Sequence, residues 1–142
     1  MGVKRLEDLI AYQRAVALNS AVYALLAASP LAARDLRYRT QLESSSASVS
    51  ANIAEGWGRF RRKEVGQFLR YAVGSLFETE ERVLDGTQRG YFTRAECADV
   101  LREIRRCTAA TQRFRTALAS FDPPEQKRVS SGQPTRLPQR EP

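Results

Sequence analysis

The stretch Ser44-Ser45-Ser46-Ala47-Ser48 decides the fold of this 142-residue chain, because by composition it is a flexible linker and by position it is the middle of a helix. The helical reading prevails. Leu42, Val49 and Gly56 fall on one seven-residue line and Arg39, Ser46 and Ile53 on the neighbouring one, the pattern of an interior stripe built with small side chains. A serine hydroxyl can return its bond to a carbonyl one turn back, so burial does not strand it. Helix propensity is mediocre here, and packing has to supply the stability of this element.

Outward from this segment the other helices read more easily. A first helix runs from about Leu6 to Ala28, with Leu9, Val16 and Tyr23 on one line and Ile10, Ala17 and Ala24 on the next, and Pro30 ends it. A short connection through residues 31–34 leads to the serine-bearing helix, whose first turn holds the anion of Asp35. The third helix extends from near Arg62 to about Gly86 on a stripe of Val65, Phe68, Ala72, Leu76, Thr79 and Val83. Gly74 in its middle costs about 1 kcal/mol of propensity, which predicts close approach of a neighbouring helix. Thr93-Arg94-Ala95-Glu96 is a capping box opening the fourth helix. Its seam is Cys97, Ile104, Thr111 and Leu118 beside Val100, Cys107, Phe114 and Phe121, and Asp122-Pro123-Pro124 stops it. The fold expected is all-α, an antiparallel up-down-up-down four-helix bundle over residues 1–121, followed by a disordered tail over residues 122–142.

Composition narrows the function. No apolar run approaches the roughly 20 residues of a membrane span, no secretory leader precedes Leu6, and the cytoplasm is the default location. The chain has no histidine, which removes the commonest general base, the usual catalytic triads and most transition-metal sites. No enzyme activity, metal or cofactor is expected. Glu78, Glu81 and Asp85 share a helix face with Arg82 and read as a solvated charged surface rather than a magnesium site. Cys97 and Cys107 are about 15 Å apart along one helix, beyond disulfide reach, and read as core thiols.

The formal net charge is +7, and 20 of the 23 cations are arginines, whose planar fork matches phosphate oxygens two at a time. Arg59, Arg61, Arg62 and Lys63 crowd the junction between the second and third helices, interleaved with Trp57 and Phe60, an arrangement that suits phosphates and an unpaired base. A second group, Arg34, Arg37 and Arg39, lies at the opposite end of such a bundle, and a third comprises Arg102, Arg105, Arg106, Arg113 and Arg115. Trp57 serves equally well as a cap on the core. Gly56 is expected to supply a left-handed helix end. Asn52, Glu55 and Gly56 read as structural elements of the junction, with Arg59 as the partner that Glu55 needs at a helix C-terminus.

Four motifs resemble the bacterial four-helix bundle proteins associated with intervening sequences of 23S ribosomal RNA genes. They are Asp8-Leu9-Ile10-Ala11-Tyr12-Gln13-Arg14-Ala15; Gln41-Leu42 leading to Ser48-Val49-Ser50-Ala51-Asn52-Ile53-Ala54-Glu55-Gly56; Arg59 to Lys63-Glu64; and Phe68-Leu69-Arg70-Tyr71-Ala72-Val73-Gly74-Ser75-Leu76-Phe77-Glu78-Thr79-Glu80. The family pattern looks like Arg-x-Ser-x-Lys-Glu-Phe at the third helix start, where this chain has Arg61 for the serine and Val65 for the phenylalanine. The resemblance implies a homo-oligomeric ring, commonly a pentamer. It also implies kinship with the basic accessory protein of diversity-generating retroelements, which looks like a binder of nucleic acid (RNA or DNA) and of a reverse transcriptase. The function expected is a non-enzymatic nucleic-acid-binding accessory protein. The alternative is a protein-interaction scaffold that binds no nucleic acid.

Overall fold

The computed structural model describes residues 2–120, and among them every regular element is helical. After a 3-10 turn at Leu6–Asp8 come α1 (Ile10–Ala28), α2 (Pro30–Arg34), α3 (Leu36–Trp57), α4 (Arg62–Gln88) and α5 (Arg94–Ala117), then a 3-10 turn at Leu118–Ser120. The four long helices pack in the cyclic order α1, α3, α4, α5, with α3 against α4 the most extensive pair and α1 and α4 on the diagonal. This is the up-down-up-down bundle. The expected tail, residues 122–142, lies outside the described residues, as does Phe121 at the end of the seam.

The serine-rich segment is the middle of α3. Leu42, Val49 and Ile53 are fully buried, and Ser45 and Ser46 are buried with them. Ser45 Oγ donates to the Leu42 carbonyl at 3.0 Å and Ser46 Oγ to the Glu43 carbonyl at 3.1 Å, one turn back in each case. They also reach neighbouring helices: Ser46 Oγ lies 2.8 Å from the Asn19 side-chain amide of α1, and Thr79 of α4 donates to Ser45 Oγ at 3.2 Å. Ser48 and Ser75 meet at 2.5 Å between α3 and α4. Small side chains thus let three helices approach while every buried hydroxyl finds a partner. Around this layer Leu18, Leu42, Ile53, Leu69 and Leu76 are fully enclosed, each contributing roughly 1.5–3 kcal/mol by leaving water.

Several expectations need correction. The first helix does not begin at Leu6: Leu9 is extended at φ −76, ψ 120 and separates the 3-10 turn from α1. Its two seven-residue lines do not mark the core face either, although Leu9 is buried. Ile10, Val16 and Tyr23 are exposed, whereas Ala11, Ala15, Leu18, Val22, Leu25 and Leu26 are buried. This helix is apolar all round, so the seven-residue lines carried no information about which side faces inward. The connection at residues 31–34 is itself helical: Ser29 precedes Pro30, is held extended as a pre-proline residue, and accepts the Ala32 amide at 3.2 Å as N-cap.

Gly56 does not adopt the left-handed conformation. It lies inside α3, buried, where an added Cβ would stand 3.0 Å from Phe68 Cβ, so its role is close approach of α3 and α4. Among the described residues the left-handed glycine is Gly90, at φ 77 in the turn after α4. Gly86, expected to end α4, is buried within it against Tyr38 and Phe92. Gly74, expected at a close helix contact, is exposed, and a Cβ added there would meet nothing within 4 Å.

Candidate nucleic-acid interface

The junction of α3 and α4 is built by a C-cap at Gly58, whose amide reaches the Ala54 carbonyl at 3.2 Å, and an extended Arg61 that starts α4. Arg61 supplies no side-chain cap to the first turn of α4. Asn52 Nδ2 donates to the Ser48 carbonyl at 2.8 Å, a local bond one turn back within α3.

The cations of this corner are not equivalent. Arg59 donates to Glu55 one turn back and stacks its guanidinium 5.0 Å from the centre of the Phe68 ring. It is therefore spoken for, as the position of Glu55 required. Arg61 and Lys63 are exposed and make no ion pair among the described residues; Arg62 is exposed at the first position of α4. Trp57 is half-buried and packs against the core, while Phe60 is exposed, so Phe60 is the ring this corner presents. An open depression of about 400 Å³ between Gly58 and Phe60 contains the carboxylates of Glu55 and Glu64 as well as Arg59, which makes it poorly suited to phosphate.

A neighbouring depression differs in sign. About 350 Å³ in volume, it lies between the early part of α4 and the end of α5, lined by Gly66, Arg70, Gln112, Arg115, Thr116 and Leu118. Among the described residues it holds two guanidiniums and no carboxylate. Arg115 donates to Gln112 Oε1 at 2.7 Å and Arg70 to Gln67 Oε1, neutral partners that orient the cations without cancelling their charge. Sequence reasoning missed Arg70, although it follows Lys63 by seven residues, two turns further along the same side of α4. Arg115 joins it only because α5 returns antiparallel beside α4.

Arg34, Arg37 and Arg39 stand at the other end of α3, about 33 Å away along a 22-residue helix. Arg34 and Arg37 are exposed without an ion pair among the described residues, but Arg39 is structural: Nη1 donates to the Ala33 carbonyl at 3.3 Å and Nε lies 3.6 Å from Glu43. This end also contains carboxylates. Asp35 accepts the Tyr91 hydroxyl at 2.6 Å and the Tyr38 amide at 3.1 Å, bonds that lower its pKa, with Arg89 at 3.7 Å adding to the effect. Arg89 is held by Asp85 at 2.8 Å. Arg102 and Arg106 pair with Asp99 and Glu103 on α5. The structure keeps the first two arginine groups apart and splits the third, leaving Arg102 and Arg106 paired on α5 while Arg115 joins the α3–α4 end. The α3–α4 end gathers Arg61, Lys63, Arg70 and Arg115, which no carboxylate pairs among the described residues.

Reactive chemistry has little support. Both thiols are buried; burial pushes the Cys107 pKa up to about 11 and raises that of Cys97. No cluster of three His, Cys, Asp or Glu side chains suited to a metal occurs among the described residues. No helix among them is long and apolar enough to cross a membrane.

The chain matches the family described as 23S rRNA-intervening sequence protein over residues 7–113. No curated protein matches the chain.

Proposed function

We propose, from the premise that the chain belongs to the 23S rRNA-intervening sequence protein family, that it is a non-enzymatic nucleic-acid-binding accessory protein. It holds phosphates at the α3–α4 end of its bundle and works as a homo-oligomeric ring, in association with ribosomal RNA or a reverse transcriptase. The observation that carries this reading is the depression between Arg70 and Arg115, which contains no carboxylate among the described residues and lies along α4 from Arg61, Arg62 and Lys63. Guanidiniums oriented by neutral amides are suited to bidentate phosphate contacts, and exposed Phe60 adds a face on which an unpaired base can stack. A rotational assembly repeats this corner in every subunit, and multivalency then raises affinity without new contacts. A non-enzymatic role fits a chain without histidine whose two thiols are buried.

The test is binding of labelled single-stranded RNA, with single-stranded DNA in parallel, at about 50 and about 200 mM salt. Phosphate-driven binding falls steeply between the two conditions, with a slope that counts the phosphates engaged. Absence of binding to both at the lower salt overturns the reading in favour of a protein-interaction scaffold.

A further inference from the structure

Arg94, Ala98, Leu101 and Arg105 succeed one another on α5 at the spacing of one helical stripe, i, i+4, i+7 and i+11. With Leu84 and Thr87 of α4 they line a depression of about 410 Å³ between the two helices. Its centre is aliphatic, and its two ends, about 16 Å apart along α5, are guanidiniums. Arg102 adds a third cation. Leu84 is 46% exposed, and Thr87 already donates its hydroxyl to the Leu84 carbonyl at 2.6 Å, so the centre offers apolar contact area.

The two end cations have no task in the fold. Arg94 and Arg105 are exposed and make no hydrogen bond or ion pair among the described residues. Arg94 is also the first residue of α5, where the helix dipole disfavours a positive charge. No carboxylate lines the depression among the described residues.

Its surroundings are of mixed sign. Asp99 pairs with Arg102, and Glu80 and Glu81 stand one turn before Leu84 on α4. A nucleic acid backbone is repelled by these acids, and no aromatic ring among the described residues lines the depression for a base to stack on. A protein segment can instead set carboxylates over Arg94 and Arg105 and neutral side chains beside Glu80 and Glu81, so the pattern of charge selects a protein.

We infer that the depression between α4 and α5 is the docking site for an acidic amphipathic helix of a partner protein, whose aliphatic side chains pack on Leu84, Ala98 and Leu101 and whose carboxylates, three turns apart, meet Arg94 and Arg105. Such a helix carries carboxylate, aliphatic, aliphatic and carboxylate at i, i+4, i+7 and i+11, the charge complement of the α5 stripe. The site is separate from the phosphate site. Leu84 lies 14 residues beyond Arg70 on α4, and Arg115 lies 14 residues beyond Leu101 on α5, which sets the two depressions about 21 Å apart. One bundle therefore has room for a nucleic acid at one end and a protein helix at the other.

Fluorescence anisotropy of a labelled synthetic peptide on the full chain tests this. The probe has glutamate, leucine, leucine and glutamate at i, i+4, i+7 and i+11 on an alanine and glutamine background, and a control peptide has lysine in place of both glutamates. The acidic peptide is expected to bind and the lysine peptide not. Arg94→Glu with Arg105→Glu is expected to weaken the acidic peptide about tenfold or more and to bind the lysine peptide instead. Leu84→Ser weakens the acidic peptide without changing the preference. Both arginines are exposed, and far-UV circular dichroism checks that helicity is kept. No binding of the acidic peptide, equal binding of the two peptides, or a charge-reversed pair that keeps the wild-type preference overturns the inference. Single-stranded RNA that displaces the acidic peptide also overturns it, because the depression then takes phosphates. A chain that binds the acidic peptide but no nucleic acid removes the phosphate site and leaves this one standing.

Discussion

Tyr91 donates its hydroxyl to Asp35 Oδ2 at 2.6 Å, tying the turn after α4 to the first turn of α3. The Tyr91 carbonyl accepts the Ser29 hydroxyl at 2.8 Å, so one residue also holds the break between α1 and α2. The bond favours the carboxylate form and lowers the Asp35 pKa, ahead of the contribution from the Tyr38 amide. The unfolded chain therefore takes up this proton more readily than the folded one. Stability from the bond is fully present above about pH 4 and is lost as pH falls through the lowered folded value. Tyr91→Phe is expected to unfold at lower urea than the wild type at neutral pH, with the gap narrowing below about pH 4. A gap that does not change with pH shows that the hydroxyl contributes nothing through Asp35.

Two glycines of α4 are expected to respond oppositely to alanine. At Gly86 an added Cβ overlaps the Tyr38 hydroxyl and the Phe92 ring, both packed in the core, and overpacking of this kind costs about 1–3 kcal/mol. At Gly74 the methyl meets nothing in its own chain, and the helix gains about 1 kcal/mol. Thermal unfolding of Gly86→Ala and Gly74→Ala checks both signs. Equal shifts in one direction refute this account of the helix.

The same contrast shows what was legible in the sequence. The α3 stripe was readable because its polar and apolar residues alternate sharply enough to fix a phase, and Leu42, Val49 and Ile53 landed in the core as that phase required. The face of α1 was unreadable because alanines, leucines and valines occupy every side, leaving only tertiary contacts to choose Leu18 and Val22 over Val16 and Tyr23. At the junction, the pairing of Glu55 with Arg59 followed from helix-end electrostatics over one turn. The partnership of Arg70 with Arg115 is set by two helices 45 residues apart in sequence and has no local signature.

Cys97 and Cys107 offer a check on the core itself. A thiol with a pKa near 11 is ionised to roughly one part in ten thousand at pH 7, and its reactivity falls accordingly. Neither cysteine is expected to react appreciably with a thiol reagent in the native protein, and both react promptly in denaturant. Rapid native labelling of Cys107 contradicts the packing of α5 against α1, where its thiol lies 3.8 Å from the Ala11 carbonyl.

The arginine groups can be ranked by what neutralises them. Arg59 is paired with Glu55, Arg39 is occupied by the Ala33 carbonyl and Glu43, and Arg34 and Arg37 stand near Asp35, which also draws Arg89. Among the described residues Arg70 and Arg115 face only amide oxygens. If affinity follows unneutralised charge, Arg70→Gln with Arg115→Gln is expected to lower RNA affinity about tenfold or more and to reduce the salt slope by about 1 for each phosphate that is no longer engaged. Arg34→Gln with Arg37→Gln removes the same formal charge, and its expected effect is only the weaker, long-range part, with the slope nearly unchanged. Titrations of the two double variants at matched salt decide the matter: equal losses mean that total charge attracts the nucleic acid, whereas a loss confined to the first pair places the phosphate between α4 and α5.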